Sequence, residues 1–559
     1  MQRRLRDRQK SVGGAIAVFI VLAVGAALRF WHLDLKPLWL DEILTAGLSL
    51  GRSASEVPLD RFLPVTELKG WFSLAPDATC ADISHTVATE STHPPLYFCL
   101  THRWLQQRPP SFEDLTWQLR SLPAAFGVLA IAAMFWLDRL AFSFRTGLVA
   151  AALMAVSPFA VYLSQEARHY TLPLFLVTVA LGGLVEFARH FVEGKPLPRG
   201  TRWGWVAANT LGLYVHYFFV VAYAAQLATL ASVAAIDCRR VTRCVPMRRG
   251  WANWATFFVP AVLFLPWLPQ LLSHLDRPET DWFKPFEPSW TDGFAPLVQT
   301  LASWVVMAIS LPVENQPLWI AVPLGVLMVA FSLWLGCVAW RGWRDRWRRD
   351  DGRLELLTLT SFTGWTLVAF GAIVYGLGKD ITTAPRYHFL YYPGFCALLA
   401  AALTSRKAQL RRGGIVAMVG WLSSILVVHN LAFHKPYYPR QIARSFNVEP
   451  QLPLVTVVGY QNFQEIALGL SFALELPPAS EFGLFDRASG YERLWQNLET
   501  LSLSTVPPFE LWVVAPGLRQ AEYPDTLNFP ERLCQRDISE YHRLGIPYQR
   551  YRCSRDFSG

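Results

Sequence analysis

The stretch WLDEILTAG, Trp39–Gly47, sets two adjacent carboxylates, Asp41 and Glu42, just after the first long apolar run of the chain. A carboxylate there can take a proton from an attacking hydroxyl. Other polar groups recur where later apolar runs end. They are His93 in HPPLYF, the run Gln165-Glu166-Ala167-Arg168-His169-Tyr170, His216 and Tyr217 in YVHYFF, and Arg386, Tyr387 and His388 in PRYHF. Arginine binds phosphate oxygens bidentately. Acids, imidazoles and guanidiniums on one rim resemble the parts needed to transfer a group off a phosphate. Each residue also has an ordinary reading. Span ends use Tyr, His and Arg as interface anchors, Arg168 can snorkel, His216 can be a satisfied core histidine, and an acidic pair after a span can be a solvated loop. Co-location favours chemistry, so the elements that place these residues decide.

The chain has 559 residues, of which 52% are hydrophobic and 17% charged, with 23 Trp. Soluble domains average about 25% charged residues, so the composition is that of a membrane protein. The net charge of +9 lies in short basic clusters between apolar runs. That is the pattern of cytoplasmic loops under the positive-inside rule, not of a nucleic-acid-binding surface. The charged start MQRRLRDRQK precedes an apolar run of spanning length with no small-residue cleavage site, read as a retained first span with a cytoplasmic N-terminus.

Six basic clusters fix the topology: 1–10, 138–145, 189–202, 237–249, 341–353 and 406–412. If all are cytoplasmic, an even number of crossings separates neighbours. Residues 203–236 then form a tight hairpin with His216 and Tyr217 at its outer tip, and 146–163 with 171–188 form another with SQEARHY at its tip. Spans near 253–271 and 318–340 bracket an external loop holding Asp276, Asp281, Trp282 and Glu314, and the run 295–313 is re-entrant or lies on the surface. Spans near 355–377 and 387–404 meet outside at KDITTAPRYHF, and a last one runs near 413–431. The run HPPLYFCLTHRWL is an interfacial helix inside a long first external loop, 31–118. The total is about eleven spans, with the C-terminus outside.

After residue 434 the composition changes. Residues 435–559 carry the strand-like runs LVTVVGY and ELWVVAP, with the helix-like runs FQEIALGLSFALE and YERLWQNLET between them. The expected class is therefore mainly α and polytopic, with a membrane domain over 1–434 and a small extracytoplasmic α/β domain over 435–559. Cys534 and Cys553 share that domain, and Cys80 and Cys99 share the first loop, so either pair can form a disulfide; Cys238 and Cys244 are cytoplasmic and reduced.

The order of a first span, WLDE, HPPLYF, a SPF…SQEARHY tip and a late PRYHFLYYP resembles the membrane-integral GT-C glycosyltransferases over about residues 10–430. The branch it looks like is that of bacterial, family 39-like relatives of protein O-mannosyltransferases and of the aminoarabinose transferase that modifies lipid A. The resemblance implies an inverting transferase in the bacterial cytoplasmic membrane, with its active site on the outer face. The partners it implies are the bilayer, a polyprenyl-phosphate-linked sugar donor and an acceptor hydroxyl on protein, lipid or glycan. By motif, Asp41 corresponds to the general base and Glu42 to its partner. His93 stands where the lipid A branch has a Lys near the donor phosphate, and Arg386 and Tyr387 match the late phosphate-contacting motif. Arg168 joins the donor-phosphate candidates, and His216, with Tyr217, lies where some members place a metal-binding or phosphate-contacting residue. Many relatives carry an Asp at about the place of Tyr170; Glu166 is the nearest carboxylate here. The family is mixed on metals, so no metal or other cofactor is assigned and a divalent ion stays open. Two other classes compete: a lipid or polysaccharide transporter, and a binding module carried by the C-terminal domain. Charges at span ends rather than mid-span, and the lack of paired Gly/Pro breaks in matching halves, weigh against transport.

Overall fold

The computed structural model describes residues 2–240, 255–275, 277, 292–446, 448–530 and 532–555. Asp276, Asp281, Trp282, Cys244 and the side chain of Cys238, all named above, lie outside the described residues.

The chain is mainly helical and polytopic. Among the described residues seven helices are long and apolar enough to cross a membrane: Val12–Phe30, Leu115–Ala141, Thr171–Glu193, Phe219–Ile236, Leu318–Arg348, Arg353–Gly376 and Lys407–Val428. An eighth crossing arises if Phe144–Ala155 and Pro158–Ser164, which meet at 61°, are one broken span. Among the described residues the count therefore stays below the eleven expected from apolar runs, for local reasons. In the run 387–404, residues Pro385–Leu390 form a 3-10 turn, so the α-helix holds only Tyr392–Leu403. Val259–Leu275 and Ala295–Ala308 are likewise too short to span by themselves. The hairpin over 203–236 does form, as Arg199–Val215 and Phe219–Arg240. The break at 156–157 has a chemical cause: Pro158 opens the second helix, and Ser157 Oγ accepts the Ala160 N–H at 3.4 Å.

The described chain forms two compact units, and they do not meet at a single point in the sequence. One holds residues 1–33, 87–97 and 120–433; the other holds 34–86, 98–119 and 434–559. Much of what the sequence assigns to the first external loop therefore packs with the C-terminal residues. That unit is built on a mixed seven-stranded sheet of order β1-β3-β2-β4-β7-β6-β5, with β1 Phe62–Pro64, β2 Leu454–Tyr460, β3 Glu481–Asp486, β4 Phe509–Val514, β5 Thr526–Phe529, β6 Arg532–Arg543 and β7 Pro547–Arg555. β2 is parallel to both β3 and β4; the helix Phe463–Ala473 links β2 to β3, and Tyr491–Glu499 links β3 to β4. Such crossovers bury both faces of the central strands, and six of the seven β2 residues are buried. β1 pairs antiparallel with β3, Phe62 opposite Gly483, so the first loop covers what would be an open sheet edge.

Both cysteine pairs that the sequence allows are bonded. Cys80–Cys99 ties the helix Cys80–Glu90 to Leu96–Gln107, and Cys534–Cys553 joins directly opposed residues of β6 and β7.

Candidate functional site

The acidic pair opens the helix Leu40–Leu50 in the sheet-bearing unit. Its N-cap residue is Trp39, which supplies no side-chain cap. Helix N-termini normally take an acceptor from Ser, Thr, Asp or Asn. Here the acceptor for the Leu40 N–H is the Tyr437 hydroxyl, 2.7 Å away and 397 residues later. Tyr437 is buried, and its hydroxyl lies 3.1 Å from Ser471 Oγ, which donates to the Leu468 carbonyl at 2.6 Å. Tyr437 therefore donates to Ser471, and the relay anchors the acidic helix to Phe463–Ala473. Burial first, then the charges of Asp41 and Glu42, hold the Tyr437 hydroxyl well above the usual phenol value.

The two acids differ in role. Glu42 is 1% exposed, and its Oε2 accepts the Trp39 N–H at 3.5 Å, the reverse arm of a capping box. Asp41 is half-buried and keeps some open surface. The Lys435 ammonium lies 4.2 Å over the Trp39 ring, bringing a cation beside the pair.

The remaining candidates gather in the helical unit. The tip between Pro158–Ser164 and Thr171–Glu193 is buried rather than exposed: Gln165, Glu166, Arg168, His169 and Tyr170 are all under 9% accessible. Gln165 Nε2 pins it by donating to the carbonyls of Leu28 and Trp31 at 3.2 and 2.9 Å. The guanidinium of Arg168 lies 5.7 Å from the centre of the Tyr170 ring, and that of Arg386 lies 6.0 Å from the same ring. Tyr387 lies 6.3 Å from Tyr170 and from His216. Three imidazoles pack beside them, His169 standing 4.7 Å from both His93 and His216.

Each imidazole is held differently. His216 follows the last turn of Arg199–Val215, and its Nδ1 accepts the Phe218 N–H at 3.0 Å, which places its proton on Nε2. His93 Nδ1 lies 3.2 Å from Ser91 Oγ. The segment before it is braced by Arg277, whose guanidinium donates to the carbonyls of Ala88, Thr89 and Ser91. His169 is fully buried, and neither ring nitrogen meets a hydrogen-bond partner among the described residues. Burial, then Arg168, His274 and Arg386, lower His93 to about 3. Burial and neighbouring positive groups likewise hold His169 and His216 well below the usual imidazole value. The cluster therefore carries neutral rings between permanently charged guanidiniums.

The structure thus brings His93, Arg168, Tyr170, His216, Arg386 and Tyr387 together in the helical unit, whereas Asp41 and Glu42 lie in the sheet-bearing unit and two further candidates are engaged elsewhere. Tyr217 is structural: its hydroxyl accepts from Trp267 Nε1 at 3.0 Å and donates to His274 Nδ1 at 2.8 Å, and His274 Nε2 reaches the Ala88 carbonyl at 3.0 Å. His388, one residue beyond Tyr387, turns away to accept from the Tyr391 hydroxyl at 2.7 Å. His274 and Arg277 had no motif to mark them. Glu166, the nearest carboxylate to the tip, is 4% exposed on the same loop as Arg168. Among the described residues no group of three or more His, Cys, Asp and Glu side chains is arranged to hold a metal ion.

No known family profile and no curated protein matches the chain. It is similar to solved structures of GT-C glycosyltransferases. One is ArnT from Cupriavidus metallidurans bound to undecaprenyl phosphate, with 12% identity, 97% of this chain and 98% of that one covered, and a TM-score of 0.49. Another is the archaeal oligosaccharyltransferase AglB from Archaeoglobus fulgidus in complex with an inhibitory peptide and a dolichol-phosphate, with 14% identity, 84% and 65% covered, and a TM-score of 0.44. With TM-scores under one half, these likenesses leave the chemistry to be argued from the side chains themselves.

Proposed function

We propose that the chain transfers a sugar from a polyprenyl-phosphate-linked donor to an acceptor hydroxyl at the outer face of the bacterial cytoplasmic membrane, with inversion at the anomeric carbon. The observation that carries this reading is the convergence of Arg168 and Arg386, 218 residues apart, on one tyrosine ring beside three neutral imidazoles. Two guanidinium forks flanking one ring suit a phosphate that each can grip through paired N–H donors. A cluster next to apolar helices of spanning length lets a lipid tail stay in the bilayer while its phosphate is held.

The leaving group is a lipid phosphate, so stabilising its departing charge matters more than protonating it. Arg168, Arg386 and the Tyr387 hydroxyl supply that stabilisation, with the Nε2–H of His216 as a neutral donor. Asp41 is the general base. Of the two acids it has the open surface, and Glu42 is engaged at the helix N-terminus, where it orients its neighbour. The reading requires the Asp41 carboxylate to reach an acceptor hydroxyl aligned with the anomeric carbon.

The test is purified protein in nanodiscs with a panel of polyprenyl-phosphate hexoses, pentoses and amino sugars, following free polyprenyl phosphate by mass spectrometry. Release from one donor is expected. Saturable binding of none of them would defeat the reading and favour transport of another lipid.

A further inference from the structure

His169 stands apart from its two neighbours. His216 has committed Nδ1 to the Phe218 N–H, and His93 Nδ1 lies against Ser91 Oγ. A second proton on His216 would break the bond that shapes its turn. His169 is fully buried with both ring nitrogens unpartnered among the described residues, so it can gain a proton without giving up a contact. A buried polar group in that state is costly unless a ligand completes it.

Several charged or titratable groups surround it. The 87–97 segment brings His93 and Tyr97, the latter ring 5.8 Å away. Its own loop brings Glu166, Arg168 and Tyr170, the turn at 216–218 brings His216, and the Pro385–Leu390 turn brings Arg386 and Tyr387. His274 acts at one remove, through His93.

Resting on the glycosyl-transfer reading, the charge balance of the reaction gives His169 a task. The donor is a phosphodiester with one negative charge. When the acceptor oxygen bonds to the anomeric carbon, the carbon–oxygen bond to phosphate breaks and its electron pair stays on phosphate. The acceptor proton passes to Asp41. The product phosphate monoester has a second ionisation near pH 6 and is mostly a dianion at about pH 7. The site must therefore tell one negative charge from two. We propose that His169 is the group that does so: it is neutral with the diester and takes a proton from solvent when the lipid monophosphate dianion occupies the site. The imidazolium then donates a charge-assisted hydrogen bond to the phosphate, so that phosphate binding is coupled to proton uptake. Its lowered affinity for a proton without ligand, set by burial first and then by His216, His93, Arg168 and Arg386, fits this, because a bound dianion acts in the opposite direction.

The experiment is isothermal titration of the whole protein in nanodiscs with farnesyl phosphate at about pH 7, in two buffers of different ionisation enthalpy. Uptake of about one proton per farnesyl phosphate is expected for the wild type and close to none for His169→Gln, which keeps a donor and an acceptor but cannot ionise. His169→Asn serves as the second variant if the first fails to fold. Binding without proton uptake in the wild type overturns the inference and leaves the proposed function standing. Undiminished uptake in the variants assigns the proton elsewhere and also overturns it. No binding of farnesyl phosphate or of any polyprenyl phosphate overturns the proposed function itself.

Discussion

The neutral imidazoles have a consequence for the empty protein that needs no substrate. The perturbation is acid. His93 ordinarily titrates at 6.5 and is lowered to about 3, while His169 and His216 are held well below 6.5. A group whose value is depressed by folding contributes stability that is fully present above its unfolded value. That stability is lost as pH falls from 6.5 toward the folded value, because only the unfolded chain takes up the proton. One pH unit is worth about 1.4 kcal/mol per proton. At about pH 5 each fully buried ring therefore costs about 2 kcal/mol relative to about pH 7.5, and the half-buried His93 costs less. The assay is heat unfolding in detergent micelles, followed by tryptophan fluorescence at both pH values, for the wild type and His169→Phe. The variant is expected to be no less stable at about pH 7.5, since no protein hydrogen bond to the ring is lost, and to lose about 2 kcal/mol less on acidification. Equal acid-induced losses in the two proteins would refute the claim that His169 is held neutral by the fold.

Three further outcomes follow from other parts of the structure. Tyr437→Phe strands the Leu40 N–H; it should cost about 1–2 kcal/mol in thermal stability and lower kcat with KM unchanged, as steady-state kinetics would show. Arg386→Ala should weaken farnesyl phosphate binding by at least about tenfold, the scale of one lost charge-assisted hydrogen bond, measured by titration calorimetry. Reducing Cys534–Cys553, or replacing both residues by Ser, opens a loop of 19-residue separation and should destabilise the sheet-bearing unit by about 3 kcal/mol. Limited proteolysis of that unit reports the change.

What the sequence made legible was what depends on local composition. Spanning helices follow from apolar runs, although the expected arm 146–163 is bent by 61° before Pro158. The arms over 199–240 break at His216 as hydropathy and length require. The first and last strands of the parallel core, β2 and β4, stand out as runs of Val, Leu and Trp. Illegible were features set by distant partners. β1 is three residues ending in proline and is a strand only because β3 lies beside it. β6 carries Arg, Asp and Glu because most of its residues keep open surface, whereas β7 is largely buried yet has three arginines, so neither shows the alternating pattern of a half-buried strand. The N-cap residue of the helix bearing Asp41 and Glu42, Trp39, offers no side-chain acceptor, so the attachment of that helix to Tyr437 could not be read there. At the candidate site, Tyr387 and His388 look equivalent in PRYHF, yet the 3-10 turn sends one beside Tyr170 and His216 and the other to Tyr391. His169 hid inside a run of six residues, five of them polar, and only burial without a partner among the described residues marks it.

The central claim is that this chain breaks the bond between a polyprenyl phosphate and its sugar with Asp41 as base. Asp41→Asn keeps size and helix and removes only the basicity. The deciding measurement compares it with the wild type in nanodiscs, each given the donor that the wild type turns over, by mass spectrometry of released polyprenyl phosphate. The account predicts loss of release with unchanged farnesyl phosphate binding. Release at the wild-type rate would contradict it.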